Sequence, residues 1–309
     1  MSVLVLVSIL SLIALEFTRK SSINLKMAAN HALSKKALFY AYGGYETALK
    51  LLMMDTNEYD GPGDYWYAML PPIPLEDGAI VVTIQDEKSR YNIKKLVTDY
   101  GIEDARRRVM LERIFEQHGI DTSIIDSLAD WQDEDDVSLP YGAERMYYNS
   151  LRPSYDPRNA PVTTMGEIFL VRGFDRDLFF LPPVVRDPFL SDDIQPLEQY
   201  LTVYGNGSIN INTADRILLM SLSADLDEII ADDIVEYRYE YPFEAVEELK
   251  NVETVSDILY DEIESLITVK SDLFRITSTG SVDEFSRIIT AVVSREGGRF
   301  RVVYFDRSL

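Results

Sequence analysis

The chain has 309 residues, of which 46% are hydrophobic and 11% aromatic, too apolar for a disordered acidic tail and long enough for about two domains. Its formal charge of −22 opposes binding to phosphate backbones but suits divalent cations. Because there is no cysteine and the only histidines are His31 and His118, thiolate chemistry is excluded, and a catalytic triad or histidine-rich metal site has little material.

The first 15 residues, MSVLVLVSILSLIAL, carry no charge and predict a membrane anchor. As a helix, residues 1–17 would span roughly 25 Å, slightly less than a hydrocarbon core of about 30 Å. A cleaved signal peptide is less favoured, because it would need a basic start and a small-residue cleavage site and this segment has neither. A buried core helix is also less favoured, because such a helix rarely has a wholly apolar terminus. The basic flank expected of an anchor is also missing, and we expect residue 1 to lie either near a mature start or after a truncation. We expect residues 1–23 to be the membrane-anchoring half of a longer helix.

The lack of proline from residue 17 to residue 55 predicts that this helix continues, for about 50 residues in all. Apolar residues such as Leu25, Ala28 and Ala32 recur at helical spacing, so the second half should be amphipathic and pack on a globular domain. We attribute the pair Gly43-Gly44 to close packing of another element rather than to a hinge.

Strands are predicted early and late in the remaining chain, with helices between them. The β-branched run AIVVTIQ at 79–85 is one strand, and 273–279, 285–295 and 299–306 are three more, with turns at Gly280-Ser281 and Gly297-Gly298. Helices are predicted near 102–118, 121–131, 143–150, 164–171, 195–203, 213–222, 225–239, 244–250 and 255–266. Because a lone strand at 79–85 is not stable, all four strands should form one sheet that a helical domain interrupts.

The pattern predicts an α+β fold with a long N-terminal helix, a small antiparallel sheet and a large inserted all-helical domain. Residues 24–88 and 272–309 would form the α/β domain, and residues 89–271 the insertion. We divide the insertion into an acidic-loop part at about 89–190 and a helical-hairpin part at about 191–271.

The densest acidic cluster is DWQDEDD at 130–136, followed by Glu144. Its carboxylates repel one another unless they are solvated or bridged by a cation. The spacing Asp133-x-Asp135 with a distant Glu is typical of calcium loops, although the glycine that an EF-hand has at its sixth position is missing. The spacing alone leaves a calcium site and a solvated acidic loop both open. Trp131 should pin the loop to a core, since so large an aromatic needs burial.

A second motif, SININTA at 208–214, precedes a pair of short helices, and Asn212 or Thr213 is expected to cap the first of them. Helix-hairpin-helix modules bind the DNA backbone through glycine-rich turns with basic neighbours. Here the linking segment 223–228 is acidic, so we predict a structural hairpin and no nucleic-acid partner. The run Arg106-Arg107-Arg108 is interpreted as a solvated face or as local partners for acidic loops.

Together these segments resemble the family of K-type minor pseudopilins of the type II secretion system. The similarity covers nearly the whole chain. It rests on SVLVLVSILSLIAL at 2–15, FTRKSSINLKMAAN at 17–30, AYGGYETAL at 41–49, DEKSRYNIKKL at 86–96, DWQDEDD with GAE and a tyrosine at 130–147, and INTA at 211–214. Each segment is weak alone, but DWxDxD followed by GAE and then by INTA is specific.

The resemblance implies a pilin-like fold with a single-pass inner-membrane helix and a globular part in the periplasm. It implies a non-enzymatic subunit at the tip of a short pseudopilus. There it would initiate assembly with the I-type and J-type minor pseudopilins, the major pseudopilin and the inner-membrane assembly platform. Contact with an exported substrate or the outer-membrane secretin, and methylation, belong to the same expectation. A minor pilin of a type IV pilus shares this architecture and stays open, as does, with less support, a DNA-binding or uptake protein built on the hairpin.

The resemblance also implies calcium in the inserted domain. Mapped onto this sequence, the family pattern gives these ligands, the first three ahead of the others: Asp133, Asp135, Glu144, Asp130 and Asp136. Pilin-like proteins usually carry Glu at the fifth mature position, where it pairs with a neighbour's terminus. Val5 stands here and Glu16 is the first acid, which suits the K-type, a subunit with none stacked above it.

Overall fold

The computed structural model describes residues 2–68, 70–187, 189–191, 194–297 and 299–308, apart from the side chains of Ser2 and Ser308. In chain order, the helices and strands are α1 (Ser2–Met54), β1 (Ile73–Leu75), β2 (Gly78–Asp86), β3 (Tyr91–Asn92), α2 (Ala105–Gln117), α3 (Ile124–Asp130), α4 (Arg145–Ser150), α5 (Arg176–Phe180), α6 (Pro183–Arg186), β4 (Leu201–Thr202), β5 (Ile209–Asn210), α7 (Arg216–Ser221), α8 (Glu228–Glu240), α9 (Asp257–Ile263), β6 (Ile267–Thr268), β7 (Leu273–Val282), β8 (Phe285–Glu296) and β9 (Arg299–Ser308).

The chain divides into two compact units. The first unit comprises Met1–Asp55, Met69–Ile84 and Arg275–Leu309, and the second comprises Thr56–Ala68 and Gln85–Phe274. The first unit contains the long helix and most of a small antiparallel sheet, and the second is mainly helical. The fold is therefore the predicted α+β fold, a long N-terminal helix and a small antiparallel sheet with a large, mainly helical insertion.

Helix α1 is continuous over 53 residues, which confirms the predicted length. Side chains in its first part are exposed, as at Leu4 and Phe17, whereas Ala37, Ala41 and Leu52 in its second part are fully buried. The second half is thus amphipathic and contributes to the core of the first unit, as its spacing predicted.

The membrane-anchoring role of α1 stays a prediction. Within the described part of the chain, no helix combines the length and apolarity that a membrane crossing requires. The anchor was assigned to residues 1–23, with membrane contact through residues 1–17, and Met1 lies outside the described residues.

The sheet of the first unit has five strands in the order β1-β2-β7-β8-β9. The four predicted strands are all present, and β1 is an addition, pairing antiparallel with β2 from Ile73↔Ile80 to Leu75↔Gly78. Strands β8 and β9 also pair antiparallel, with a bulge between Val292 and Val293. The three-residue β1 was missed because it is too short to show an alternating pattern.

The predicted turn at Gly280-Ser281 is wrong, because β7 runs on to Val282 and the turn lies at Asp283-Glu284. A Cβ at Gly280 would lie 2.1 Å from the Ala37 backbone oxygen and 2.4 Å from the Ala41 nitrogen. The glycine is therefore required where β7 approaches the backbone of α1, rather than for turning the chain.

The Gly43-Gly44 pair behaves as predicted, and its two members differ. A Cβ at Gly44 would lie 2.2 Å from Ser278 Oγ and 2.6 Å from Ile80 Cγ2, whereas the nearest atom to a Cβ at Gly43 is 3.8 Å away. Close packing of the sheet against α1 therefore requires glycine at position 44 and would accept alanine at position 43.

Most of the predicted helices of the second unit are present, in shortened form, as α2, α3, α4, α7, α8 and α9. The segments predicted at 164–171 and 244–250 are 3₁₀ helices, Met165–Leu170 and Val246–Asn251. The helix predicted at 195–203 is wrong, because this segment forms one 3₁₀ turn and then β4, which pairs in parallel with β3. Two buried contacts hold it there: Tyr91 N donates to Tyr200 O, and Thr202 Oγ1 donates to Glu87. Tertiary pairing thus overrides helical spacing.

Candidate metal centre

Three carboxylates of the second unit come together beside α3 and α4. Asp130 is the last residue of α3, Asp133 lies in the loop that follows, and Glu144 is the residue that precedes α4. One carboxylate oxygen from each lies within 4.8 Å of the others. Asp130 is fully buried, Glu144 is 5% exposed, and Asp133 is partly buried. The loop therefore folds back so that an acidic helix end meets an acidic helix start.

The loop is held in place by two buried side chains between the aspartates. Trp131 Nε1 donates to Glu167 Oε1 at 3.0 Å, and the Trp131 ring meets the Tyr148 ring edge-on at 5.1 Å. Gln132 Nε2 donates to the Ile93 backbone oxygen at 3.1 Å. The predicted role of Trp131 as the pin of the loop is confirmed, and the adjacent aspartates are fixed as a consequence.

Asp130 is oriented by its own contacts, and one glycine makes room for it. Its carboxylate accepts hydrogen bonds from Leu139 N at 3.2 Å and from Ser138 Oγ at 3.3 Å. A Cβ at Gly142 would lie 1.9 Å from Asp130 Oδ2, so only glycine fits there. The GAE motif at 142–144 therefore supplies space for one carboxylate and contributes a second.

Three further oxygens of the cluster lack donors. Asp133 Oδ1 and both carboxylate oxygens of Glu144 are buried and have no hydrogen-bond partner among the residues that the structure describes. Burial first, and then the neighbouring aspartates, raise the pKa of Asp133 to about 7 and that of Glu144 to about 7. Burial also raises the pKa of Asp130. Three crowded carboxylates, with three oxygens that accept no hydrogen bond, are suited to bind a hard, oxygen-preferring cation such as Ca²⁺.

The other two predicted ligands lie apart from this trio. Asp135 Oδ1 accepts a hydrogen bond from Val137 N at 2.7 Å, at an exposed turn. Asp136 is exposed and forms an ion pair with Arg145 Nη1 at 3.5 Å. As a candidate metal ligand, Asp135 was placed ahead of Asp130. Spacing along the chain does not show that Asp130, the last residue of α3, lies close to Glu144.

Arg108 joins α2 to the helix that supplies Asp130. Its guanidinium contacts Glu103 Oε2 at 2.7 Å, Glu112 Oε1 at 2.8 Å and Asp126 Oδ1 at 2.5 Å. The Asp126 side chain is 7% exposed and also accepts from Tyr141 N. The interpretation of the arginine run as local partners for acidic residues is confirmed at this position, and the sequence could not show which arginine was involved.

Replacing Arg108 with Met should lower the free energy of unfolding of the second unit by about 3 kcal/mol, because Asp126 would remain buried without its cation. Arg106→Met is the matched control. Arg106 is exposed and contacts Ser265 Oγ at 3.2 Å, so a change below about 0.5 kcal/mol is expected. Chemical denaturation of the full chain checks both variants, followed through the fluorescence of Trp66 and Trp131, which both lie in the second unit. Equal losses in the two variants would refute the bridging role.

The INTA segment has a structural role in the hairpin. Asn212 accepts from Phe243 N at 2.9 Å and donates to Phe243 O at 2.8 Å, tying the segment to the chain beyond α8. The prediction that Asn212 or Thr213 caps α7 is wrong, because Asp215 accepts from Ile217 N at that helix start. Thr213 instead donates to buried Asp86 at 2.6 Å. The partners of both side chains are distant in sequence, so local capping rules could not find them.

The long helix, the small antiparallel sheet and the inserted helical unit define a pilin-like protein. Residues 89–181 match the family model described as type II secretion system (T2SS), protein K, and residues 205–268 match the model of the helix-hairpin-helix motif. The resemblance to K-type minor pseudopilins is thereby confirmed, and the chain is similar to type II secretion system protein K.

Curated relatives carry the same family name. Type II secretion system protein K of Aeromonas hydrophila is 26% identical over an alignment of 195 positions, which covers 57% of this chain and 58% of that protein. The protein of the same name from Pectobacterium carotovorum subsp. carotovorum is 23% identical over an alignment of 331 positions, gaps included, which covers 97% of this chain and 96% of the relative. The first alignment thus spans a little over half of its relative, and the second spans nearly all.

A solved crystal structure shares the fold. It is that of the GspK-GspI-GspJ complex from the enterotoxigenic Escherichia coli type 2 secretion system, and one of its chains matches with a TM-score of 0.72. The match covers 92% of this chain and 99% of that chain at 18% sequence identity. At that identity, the likeness supports the fold alone.

Proposed function

We propose that the chain is a non-enzymatic K-type minor pseudopilin, located at the tip of a type II secretion pseudopilus and active in starting its assembly. One observation carries this proposal. The chain combines a pilin-like helix and sheet with an inserted unit, and residues 89–181 of that insertion match type II secretion system protein K. The comparisons name type II secretion rather than a type IV pilus, which favours the former among systems that share this architecture.

The proposed partners are the I-type and J-type minor pseudopilins, because the solved complex with the same fold contains GspK, GspI and GspJ. We extend the proposal to the major pseudopilin and the inner-membrane assembly platform, which any subunit built into the filament would meet. Contact with an exported substrate or the outer-membrane secretin follows from a position at the tip.

The first part of α1 supports an inner-membrane anchor, with the globular units in the periplasm. Its apolar side chains are widely exposed, as at Val3 (73%), Leu10 (58%) and Phe17 (74%), so burial in lipid or against neighbouring pseudopilin helices would remove them from water. No acid precedes Glu16, so this stretch offers no carboxylate for the pairing that stacks one pilin-like subunit on another. A subunit with none above it has no need of that carboxylate.

We further propose that Asp130, Asp133 and Glu144 bind Ca²⁺, with Asp135 and Asp136 as additional candidates from the same loop. The support is the three convergent carboxylates together with the buried oxygens of Asp133 and Glu144 that lack donors. When bound, Ca²⁺ would neutralise the crowded charges and tie the end of α3 to the start of α4. The role of the metal here is structural, because it joins segments of one unit.

Deletion of the chromosomal gene and complementation in the source bacterium test this function. Protein export and pseudopilus formation should fall at least tenfold in the deletion strain and return with the wild-type chain. A variant that folds but lacks the site, Asp133→Asn with Glu144→Gln, should restore export poorly. Glu134→Gln, at an exposed residue of the same loop outside the predicted ligand set, should restore it fully. Normal export in a clean deletion would overturn the proposal.

A second candidate, binding of the DNA backbone, has one observation in its favour: the helix-hairpin-helix match at 205–268. The segment between α7 and α8 contains Asp225 and Asp227, and Glu228 begins α8, so phosphates would meet like charge. A gel-shift titration of the full chain at low salt should show no retardation. Salt-sensitive retardation would favour this candidate over the structural hairpin.

A further inference from the structure

A cavity of about 460 Å³ opens in the second unit between the hairpin helices and the segment around Tyr67. Its lining includes Thr213, Arg216, Arg238 and Tyr239. The metal centre lies elsewhere, and none of its carboxylates lines this space. The cavity is notable for holding two arginines in a chain whose formal charge is −22.

The two arginines are in different states. Arg216 is already paired, with Glu228 Oε1 at 2.6 Å and Asp232 Oδ2 at 3.7 Å. Arg238 is 4% exposed, and its Nη1 donates to the backbone oxygens of Ile211 at 2.6 Å and Ala214 at 2.7 Å. Those two bonds fix the plane of its guanidinium.

The Nε of Arg238 is buried and has no hydrogen-bond partner among the described residues. No carboxylate of the described chain forms an ion pair with Arg238, and Asp215 attracts it only from a longer distance. A buried cation without a contacting anion is costly, and burial lowers the pKa of this group. The arrangement therefore resembles a site prepared for an anion that the described part of the chain does not provide.

The free edge of the guanidinium selects the shape of that anion. Because Nη1 already donates to carbonyl oxygens, the edge of the Arg238 guanidinium that includes Nε is left for another acceptor. That edge can donate two parallel hydrogen bonds, which fit the two oxygens of a carboxylate. Tyr67 and Tyr239 also line the cavity, and a tyrosine hydroxyl can add a donor to the carboxylate. Asp215 and Asp232 also line the cavity, so a doubly charged phosphate would be repelled more strongly than a singly charged carboxylate.

We propose that this cavity binds a carboxylate group, held by Arg238 with Tyr67 and Tyr239. The same chemistry is offered by the C-terminus of a polypeptide, by an acidic side chain or by a free carboxylic acid. The site is separate from the metal centre, and most of its lining lies within the segment 205–268 that matches the helix-hairpin-helix motif.

Calorimetric titration of the full chain in non-ionic detergent tests the site and separates these sources. The probes are N-acetyl-trialanine, its C-terminal amide, N-acetyl-glutamate amide and sodium acetate, all at constant ionic strength. Saturable binding of at least one carboxylate, at least tenfold tighter than the amide, supports the site. If the tripeptide acid binds most tightly, the natural ligand is the C-terminus of a polypeptide. If the glutamate amide binds most tightly, the ligand is an acidic side chain. If acetate binds as tightly as either of them, the ligand is a free carboxylic acid. Binding of the amide as tight as that of the acid, or no saturable binding of any carboxylate, overturns the proposal.

Variants locate the binding. Tyr239→Phe and Tyr67→Phe should each weaken carboxylate binding about fivefold without changing the melting temperature. Tyr241→Phe is the matched control, because Tyr241 is 57% exposed, contacts Glu240 and does not line the cavity. Arg238→Lys should abolish binding, and its fold is checked by melting, since it also loses carbonyl contacts. Unchanged affinity in both cavity tyrosine variants would place the ligand elsewhere and overturn the assignment.

Discussion

Saturating Ca²⁺ is expected to raise the melting temperature of the full chain by about 5 to 10 °C over the chelated chain. A ligand present at about one hundred times its Kd stabilises the folded state by about 2.7 kcal/mol, and each kcal/mol shifts the melting temperature of a domain this size by about 2 to 4 °C. The increase should come from the second unit, where Asp130, Asp133 and Glu144 converge.

The double variant Asp133→Asn with Glu144→Gln should separate metal binding from simple charge repulsion. It should lose the response to Ca²⁺ but melt no lower than the chelated wild-type chain, because neutral amides remove both the cost of burying a charge and the repulsion, the two causes that raise the pKa of these acids. Glu134→Gln is the matched control from the same loop, since Glu134 is exposed and is not among the predicted ligands. Asp135→Asn and Asp136→Asn test the two remaining predicted ligands separately. A wild-type chain that melts identically with Ca²⁺ and with chelator would show that the cluster is only acidic.

Replacing Gly280 with Ala should destabilise the first unit by about 3 kcal/mol, near the upper end for overpacking. The new Cβ would lie 2.1 Å from the Ala37 backbone oxygen, and backbone cannot move aside as a flexible side chain can. Gly44→Ala should cost less, about 1 to 2 kcal/mol, because it meets side-chain atoms of Ser278 and Ile80.

Gly43→Ala is the matched control for both glycines. Its nearest neighbour would be 3.8 Å away, and alanine is favoured over glycine inside a helix by up to about 1 kcal/mol, so a small gain in stability is expected. Calorimetric melting of the full chain measures all three variants. A Gly280→Ala chain that melts with the wild type would mean that β7 and α1 do not approach as closely as described.

The parts of the fold that could be predicted from the sequence are those with a long or periodic signal. Helix α1 was clear from 53 residues without a break, and β8 and β9 from long β-branched and aromatic runs. Gly280 was read as a turn residue because glycine most often marks turns, and only the backbone of α1 shows why it lies within a strand. The spacing within 195–203 predicts a helix. The segment forms a strand instead because it pairs with Tyr91-Asn92, which lie over a hundred residues away and outside any short sequence window.

The candidate metal site could likewise be predicted from the sequence only in part. Composition and the acidic run at 130–136 indicated a cation, and Trp131 indicated an ordered loop. Which carboxylates meet depends on the end of α3 and on the space beside Gly142, and neither has a signal within a short window. The buried Arg238 carried no signal at all, because an arginine in an amphipathic helix reads as a solvated charge until its contacts with Ile211 and Ala214 are seen.

Co-purification from the source bacterium tests the central claim, membership of a minor pseudopilin tip complex, most directly. An affinity-tagged full chain would be co-expressed with the I-type and J-type minor pseudopilins of the same bacterium, with each partner omitted in turn as a control. We predict a stable assembly that contains all three chains in comparable amounts. Elution of the tagged, folded chain without either partner, while the two partners are present and folded in the same lysate, would contradict it.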